Sequence, residues 1–229
     1  MNLTIVIPAY NEEKTIGRIL AQIYNVKLNI DFEVIVVNDG STDSTEQEIK
    51  KTALPIVYLR HETNLGKGMS IRTGIEKAKG DFILIQDADC EYTPEDYPAL
   101  LKPLLSGEAE VVYGSRILNK ENRSSYAVFY FGGQLLSWWT NLLYGAKLTD
   151  EPTCYKVFKA SLLKSLKLEC RGFEFCPEVT AKILLRKIKI KEVPVSYYPR
   201  TFTQGKKISW KDGLTALWVL LRLRLNPRG

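Results

Sequence analysis

The 229-residue chain is 45% hydrophobic and 25% charged. That balance excludes a disordered, collagen-like or wholly membrane-embedded polypeptide. At about 150 residues per domain it makes one large domain, or one domain with an appendage, long enough to bury its apolar surface without disulfide staples. The net charge of +6 is unevenly spread: residues 182–229 hold 12 basic and 2 acidic side chains, against 20 and 24 in residues 1–181. A basic tail on an acidic body points either to an anionic partner (phosphate, acidic lipid or nucleic acid) or to a solvated basic surface.

In chain order, Leu3–Ile7 is an apolar run that ends at Pro8 and predicts a buried strand. Asn11–Tyr24 carries Ile16, Ile19, Leu20 and Ile23 at helical spacing. Phe32–Val37 is a second strand, and Thr42 is placed to cap the helix whose first turn holds Thr45 and Glu46. Ile56–Leu59 follows as a strand, Asn64–Ala78 as a glycine-led helix and Asp81–Gln86 as a fourth strand. Pro94 opens a helix to about Leu105, and Glu110–Tyr113 is a fifth strand. This alternation predicts βαβ units and a mostly parallel sheet flanked by helices, with ligands at the carboxyl ends of the strands.

The pattern changes after Gly114. Ser124–Ala146 is uncharged, with seven aromatic residues, and it is long enough to span a bilayer. Gly132-Gly133 and the polar Gln134, Ser137, Thr140 and Asn141 make it a poor span. It is expected instead to form a pair of packed helices with one face at the membrane interface, or an ordinary core or dimer helix. The chain then predicts a helix over Glu178–Arg186, a strand over Ile188–Val195, a basic loop over Tyr198–Lys207 and a terminal helix over Trp210–Leu225. Leu214, Leu217, Trp218, Leu221 and Leu225 share one side of that last helix, which either meets a membrane interface or covers the sheet.

The four cysteines form no C-x-x-C pair and there is a single histidine, so no structural zinc site is expected and reduced thiols are the default. Met1 runs directly into a strand with no basic stretch before it, so no signal peptide is expected. His61 is expected to be structural or exposed.

Two polar strings sit at strand ends. Asp87-Ala88-Asp89 follows Phe82-Ile83-Leu84-Ile85, and Glu91 stands two residues further on. Carboxylates so spaced can reach one divalent ion, and their hard oxygens suit Mg²⁺ or Mn²⁺ holding a diphosphate. Asn38-Asp39-Gly40-Ser41-Thr42-Asp43 ends the second strand. Asp39 is placed to accept bonds from a ribose or base edge, and Asp43 to serve a local turn.

With Val6-Ile7-Pro8-Ala9-Tyr10-Asn11-Glu12, Val36-Val37-Asn38-Asp39-Gly40-Ser41, Asn64-Leu65-Gly66-Lys67-Gly68 and Asp87-Ala88-Asp89, the chain resembles the family 2 inverting glycosyltransferases of GT-A fold. Among these it is most similar to the dolichyl- and polyprenyl-phosphate hexosyltransferases. The resemblance implies a GT-A domain over residues 1–213, with a nucleotide-sugar half (1–118) and an acceptor half (119–213), followed by an amphipathic helix and tail (214–229). It implies that Pro8, Tyr10, Glu12, Val37 and Asp39 hold the nucleoside, and that Asp87 and Ala88 line the diphosphate. Asp89 and Glu91, with Asp87, would ligate Mg²⁺ or Mn²⁺. Arg116 falls near the donor phosphates, and Arg200 with Lys206 or Lys207 on a basic acceptor-side loop, Asp89 and Arg200 being the catalytic pair. Glu178 either contacts sugar hydroxyls or serves its own helix N-terminus. Lys156 stands where the family often has arginine, which keeps the charge and loses the bidentate fork.

The implied reaction moves a hexose, mannose favoured, from GDP-mannose or UDP-glucose to a dolichyl or polyprenyl phosphate, with inversion. It would be carried out by a peripheral protein on the cytoplasmic face of a membrane. Transfer to a soluble sugar or protein is the alternative. A nucleic-acid binder is disfavoured because no aromatic recognition string of an RNA-binding sheet is present.

Overall fold

The computed structural model describes residues 1–122, 127–200 and 209–226. The core is a seven-stranded sheet in the order β3-β2-β1-β4-β6-β5-β7. β1 (Asn2–Ala9) runs through its centre, buried at every position after Asn2. It pairs in parallel with β2 (Asp31–Asn38) on one side and β4 (Phe82–Ile85) on the other. β3 (Ile56–Arg60) adds to β2 in parallel. Helices cover both faces of such a sheet, so its central strands read as unbroken Val/Ile/Leu runs. The crossover helices are α1 (Ile16–Asn25), α2 (Thr45–Lys51) and α3 (Lys67–Lys77). Successive connections leave β1 in opposite directions, so the crevice between the carboxyl ends of β1 and β4 is a topological switch point.

The second half of the sheet was only partly legible. β5 (Val111–Ser115) and β7 (Lys191–Pro194) pair in parallel. Between β4 and β5 lies β6 (Lys156–Lys159), antiparallel to both and absent from the expected elements. Four residues bounded by lysines carry no period-2 signal, and long-range pairing alone makes them a strand. The short α6 (Ala160–Ser165) was likewise unforeseen.

Several boundaries also move. α1 begins at Ile16 because Glu12 O accepts the amides of Thr15 and Ile16 in a preceding turn. Ser44, not Thr42, occupies the N-cap of α2, since the Thr42 amide is bound to Asn11 Oδ1. Pro94–Asp96 forms a separate 3₁₀ turn before α4 (Tyr97–Leu105), and α7 (Phe175–Leu185) starts before Glu178.

The described part of the uncharged segment forms one helix, α5 (Ala127–Tyr144), rather than a packed pair; Gly132-Gly133 does not break it. No helix among the described residues is long and apolar enough to cross a membrane. α8 (Trp210–Leu225) packs on α5 and α7 through Val219, Leu220 and Leu223, joined by Ala181, Trp139 and Tyr144. Trp139 Nε1 and Tyr144 Oη donate to the carbonyls of Leu217 and Leu220 at 3.3 and 2.7 Å. Of the two alternatives left open for the Leu214–Leu225 side, covering the protein is not what its residues do. Leu214, Trp218 and Leu225 are exposed.

Candidate active site

A cavity of about 1250 Å³ opens at the switch point. Of the residues singled out in the sequence, Pro8, Tyr10, Glu12, Asp39, Asp87, Ala88, Asp89, Glu91, Arg116 and Arg200 line it. Val37 does not: one residue short of the strand end, it is fully buried in the sheet core. Lys206 and Lys207 lie outside the described residues.

The exit of β4 is held from below. Gln86 Oε1 accepts the hydroxyls of Tyr97 and Tyr155, both at 2.7 Å, and the Gln86 amide donates to Val6 O. This anchors the next residues at the cavity mouth. Asp87 pairs with Lys67 Nζ at 2.6 Å. Burial works to raise the Asp87 carboxyl, but the Lys67 ammonium outweighs it and holds the group below the ordinary carboxylate range. Lys67 belongs to the Asn64–Gly68 string, yet its partner is 20 positions away in sequence, so its place in the site was not foreseen. Burial by itself lowers the Lys67 ammonium, and Asp87, together with the nearby Cys154 and Cys176, more than reverses that.

Asp89 is in the opposite condition. Burial, then repulsion from Asp87 and Glu91, pushes its carboxyl up to about 7, against the pull of Arg200. Arg200 Nη2 donates to Asp89 Oδ2 at 2.8 Å and its Nη1 to Glu12 Oε2 at 3.1 Å. Its guanidinium therefore sits among three carboxylates, with Glu91 3.9 Å from Nε. Glu91 is turned toward the 197–200 segment: its oxygens accept Tyr197 Oη at 2.8 Å and the Arg200 amide at 2.7 Å. With one of these bonds on each oxygen, the carboxylate stays beside Asp89 and Arg200, and neither bond bars it from a metal ion.

Arg116 forms a bidentate pair with Asp150, Nε and Nη2 each at 2.7 Å, and lies over the Tyr197 ring. Lys156 is not on the cavity wall. Fully buried, it donates to the carbonyls of Glu151 and Thr153 at 2.6 and 2.7 Å and lies 3.9 Å from the Tyr113 ring centroid, so it staples the 150–154 loop. Glu178 is structural too: it accepts the Glu169 and Cys170 amides and pairs with Lys182 at 2.7 Å. Burial works to raise its carboxyl, but Lys182 and the amides leave it below the ordinary value.

Asp39 is buried, and its carboxylate accepts the Leu65 and Gly66 amides at 3.0 and 2.8 Å. His61 Nδ1 lies 2.6 Å from Asp39 Oδ1, a carboxylate oxygen that can only accept, and its Nε2 shares a hydrogen bond with the Thr73 hydroxyl at 3.0 Å. His61 is thus structural, as expected, and tied to a cavity residue.

Among the described residues no three His, Cys, Asp or Glu side chains already converge to hold a metal ion. The donor set nevertheless fits Mg²⁺ or Mn²⁺. Such ions are commonly bound by one or two carboxylates plus substrate phosphates rather than by an all-protein cage. Asp87 and Asp89 supply hard oxygens on the cavity wall, and the Arg200 guanidinium stands in as the cation beside Asp89.

Residues 4–167 match the family described as Glycosyl transferase family 2. The chain belongs to that family. The glycosyltransferase is 31% identical to a UDP-N-acetylglucosamine--dolichyl-phosphate N-acetylglucosaminyltransferase of Methanococcus voltae, covering 97% of this chain and 96% of the relative. A dodecaprenyl-phosphate galacturonate synthase of Rhizobium johnstonii is 29% identical (87% of this chain, 60% of the relative). A dolichol-phosphate mannosyltransferase of Pyrococcus furiosus is 24% identical (90% and 59%). The chain therefore spans nearly all of the first relative and about three-fifths of the other two. In fold, the glycosyltransferase matches glucosyl-3-phosphoglycerate synthase of Mycobacterium tuberculosis bound to UDP, with TM-score 0.77 and 22% identity over 97% of this chain and 80% of that one. The same enzyme with Mn²⁺, UDP and glucosyl-3-phosphoglycerate gives 0.72 at 21% identity, over 96% and 79%. The architecture is the GT-A fold.

Proposed function

We propose that this glycosyltransferase moves a hexosyl group from a nucleotide diphosphate sugar to a polyprenyl or dolichyl phosphate, with inversion, at a membrane surface. The observation that carries the reading is the continuity of one cavity. It runs from the carboxylates and cations of Asp87, Asp89, Lys67 and Arg200 to apolar residues of α5 and α8 such as Leu135, Leu136, Leu214 and Leu217. A charged end joined to an apolar end suits an acceptor with a phosphate head and a hydrocarbon tail. In this reading residues 1–118 hold the donor and residues 119–213 the acceptor. The names of the relatives support a lipid-phosphate acceptor and span N-acetylglucosamine, galacturonate and mannose. Mannose is thus one candidate sugar among several.

Asp89, with Asp87, would hold a divalent ion, and that ion supplies charge neutralisation at the departing diphosphate. Lys67, at the N-terminus of α3, is positioned to bear on the same diphosphate. A phosphate monoester is already anionic at neutral pH, so the acceptor needs no strong general base. Arg200 would release Asp89 and Glu12 to hold the acceptor phosphate, an aligning role.

The membrane reading rests on two exposed stripes. On α5, Val128, Phe131, Leu135, Trp138 and Leu142 recur at intervals of three and four. On α8, Leu214, Trp218 and Leu225 stand four and seven residues apart on one side, with Arg222 and Arg224 nearby. Such a face seats in the interface, and each basic residue near anionic lipid adds about 1 kcal/mol. The cytoplasmic leaflet belongs to the same proposal.

The test is a donor panel of GDP-mannose, UDP-glucose and UDP-N-acetylglucosamine, each radiolabelled, with polyprenyl phosphate vesicles and Mn²⁺. Label entering the organic phase supports the reading. Hydrolysis or transfer to soluble sugars alone would overturn it.

A further inference from the structure

The two donor classes left open by the sequence, uridine and guanosine diphosphate sugars, present different edges to a carboxylate. Uracil offers one ring N–H between two carbonyl oxygens. Guanine offers an adjacent ring N–H and amino group, a pair that matches both oxygens of an acid.

An ionised aspartate has about four acceptor positions, two on each oxygen. In Asp39 three are taken within the protein. Oδ1 accepts from His61 Nδ1 at 2.6 Å and the Leu65 amide at 3.0 Å. Oδ2 accepts from the Gly66 amide at 2.8 Å. One position is left, on Oδ2, in a side chain that lines the cavity and retains 4% of its surface.

The three donors are not easily moved. Gly40, at φ +67°, packs so closely on the 63–66 loop that a Cβ there would lie 2.5 Å from the Thr63 carbonyl carbon. On the far side of the loop, a Cβ on Gly66 (φ +99°) would lie 2.3 Å from Arg171 O. The loop amides are therefore wedged between β2 and the 171–172 backbone. His61 is pinned by its own amide on Asn38 O at 2.9 Å and by Thr73 Oγ1 on Nε2. The Asp39 carboxylate can only accept, so the ring proton that faces it is on Nδ1, while the Thr73 hydroxyl suits either state of Nε2.

We infer that Asp39, its other acceptor positions closed by His61 and the 65–66 amides, selects a donor whose base gives it one N–H, so that this glycosyltransferase uses a uridine rather than a guanosine diphosphate sugar. His61 is the positioning residue: it removes the acceptor that guanine's second N–H would need. The inference rests on the nucleotide-sugar reading above and narrows it.

The experiment is calorimetric titration of the full chain with UDP, GDP and CDP, each with Mn²⁺, without any acceptor. UDP is expected to bind about ten-fold more tightly than GDP, the difference of roughly one hydrogen bond. His61→Leu opens a position on Oδ1 and should narrow that ratio several-fold. His61→Asn, whose side-chain amide can donate in place of Nδ1, should restore it. That rescue separates a role in base choice from a role in folding alone. Equal or tighter binding of GDP or CDP by the wild-type chain overturns the inference and leaves the nucleotide-sugar reading standing. An unchanged ratio in a folded His61→Leu protein also overturns it. Failure of all three nucleotides to bind overturns both.

Discussion

Arg200 reaches Asp89, Glu12 and Glu91 at once at the cavity mouth. If it holds the acceptor phosphate in the reaction, Arg200→Ala should remove a charge-assisted bond of about 1.5–3 kcal/mol, a ten- to hundred-fold loss in transfer. Mn²⁺ affinity measured without nucleotide should not weaken in the same variant, because a competing cation beside Asp89 is gone. Weaker Mn²⁺ binding with unaltered transfer would remove Arg200 from the acceptor side. Glu178 gives a prediction of a different kind. Its carboxyl is held below the ordinary value of about 4.3, so its contribution is present above that pH and lost as pH falls through the lower folded-state value. Glu178→Gln should therefore cost about 1–3 kcal/mol at pH 7 in chemical denaturation, with the gap closing below about pH 4. A pH-independent gap would mean that shape, not charge, holds the 169–170 amides. Residues that act through strand-end position, such as Asp39, Asp87 and Asp89, were legible in the sequence because the strand before each is a plain apolar run. Lys67, Asp150 and His61 were not assigned places in the site, since each acquires its role from a partner the chain brings in from 20 or more positions away.

At the scale of elements, α8 presents two apolar faces with separate tasks. Leu220 and Leu223 are buried against α5 and α7, and Trp218 is exposed on the opposite side. Leu220→Ala should destabilise the fold by about 2–5 kcal/mol, as cavity-forming changes do. Trp218→Ser should leave thermal stability within about 0.5 kcal/mol while reducing partition onto vesicles containing anionic lipid. Undiminished vesicle binding by Trp218→Ser together with Phe131→Ser and Trp138→Ser would show that this surface does not meet lipid. Removing α8 altogether is a poorer test, because the helix closes the second core. The helix itself was legible to the residue from Trp210 to Leu225, but which of its faces is inside was not. Leucines and a tryptophan lie on both sides, and only the position of α5 decides between them. β6 was invisible for a related reason: its antiparallel place between β4 and β5 is set by pairing, not by its own Lys-Val-Phe-Lys sequence.

Across the whole molecule, a parallel half-sheet built for a nucleotide is continued by β6, β5 and β7 and then by α5, α7 and α8, and one cavity joins the two regions. The mostly parallel sheet followed from the alternation of strands and helices, with both polar strings at strand carboxyl ends, whereas the strand order that brings those ends to one switch point did not. The apolar end of the cavity did not follow, because it forms only where two distant helices meet. In the proposed reaction this cavity takes an anionic head at Arg200, beside the ion-holding Asp89, and a prenyl tail between α5 and α8. The most direct measurement compares initial transfer rates, with Mn²⁺ and the preferred donor, to a long-chain polyprenyl phosphate, a short-chain prenyl phosphate and the matching long-chain alcohol. Transfer should be rapid to the long phosphate, slower to the short one, and almost absent to the alcohol, which lacks the charged nucleophile. Asp89→Ala should abolish all transfer in a protein that remains folded. Transfer to the alcohol as fast as to the phosphate, or full activity in Asp89→Ala, would contradict the proposed reaction.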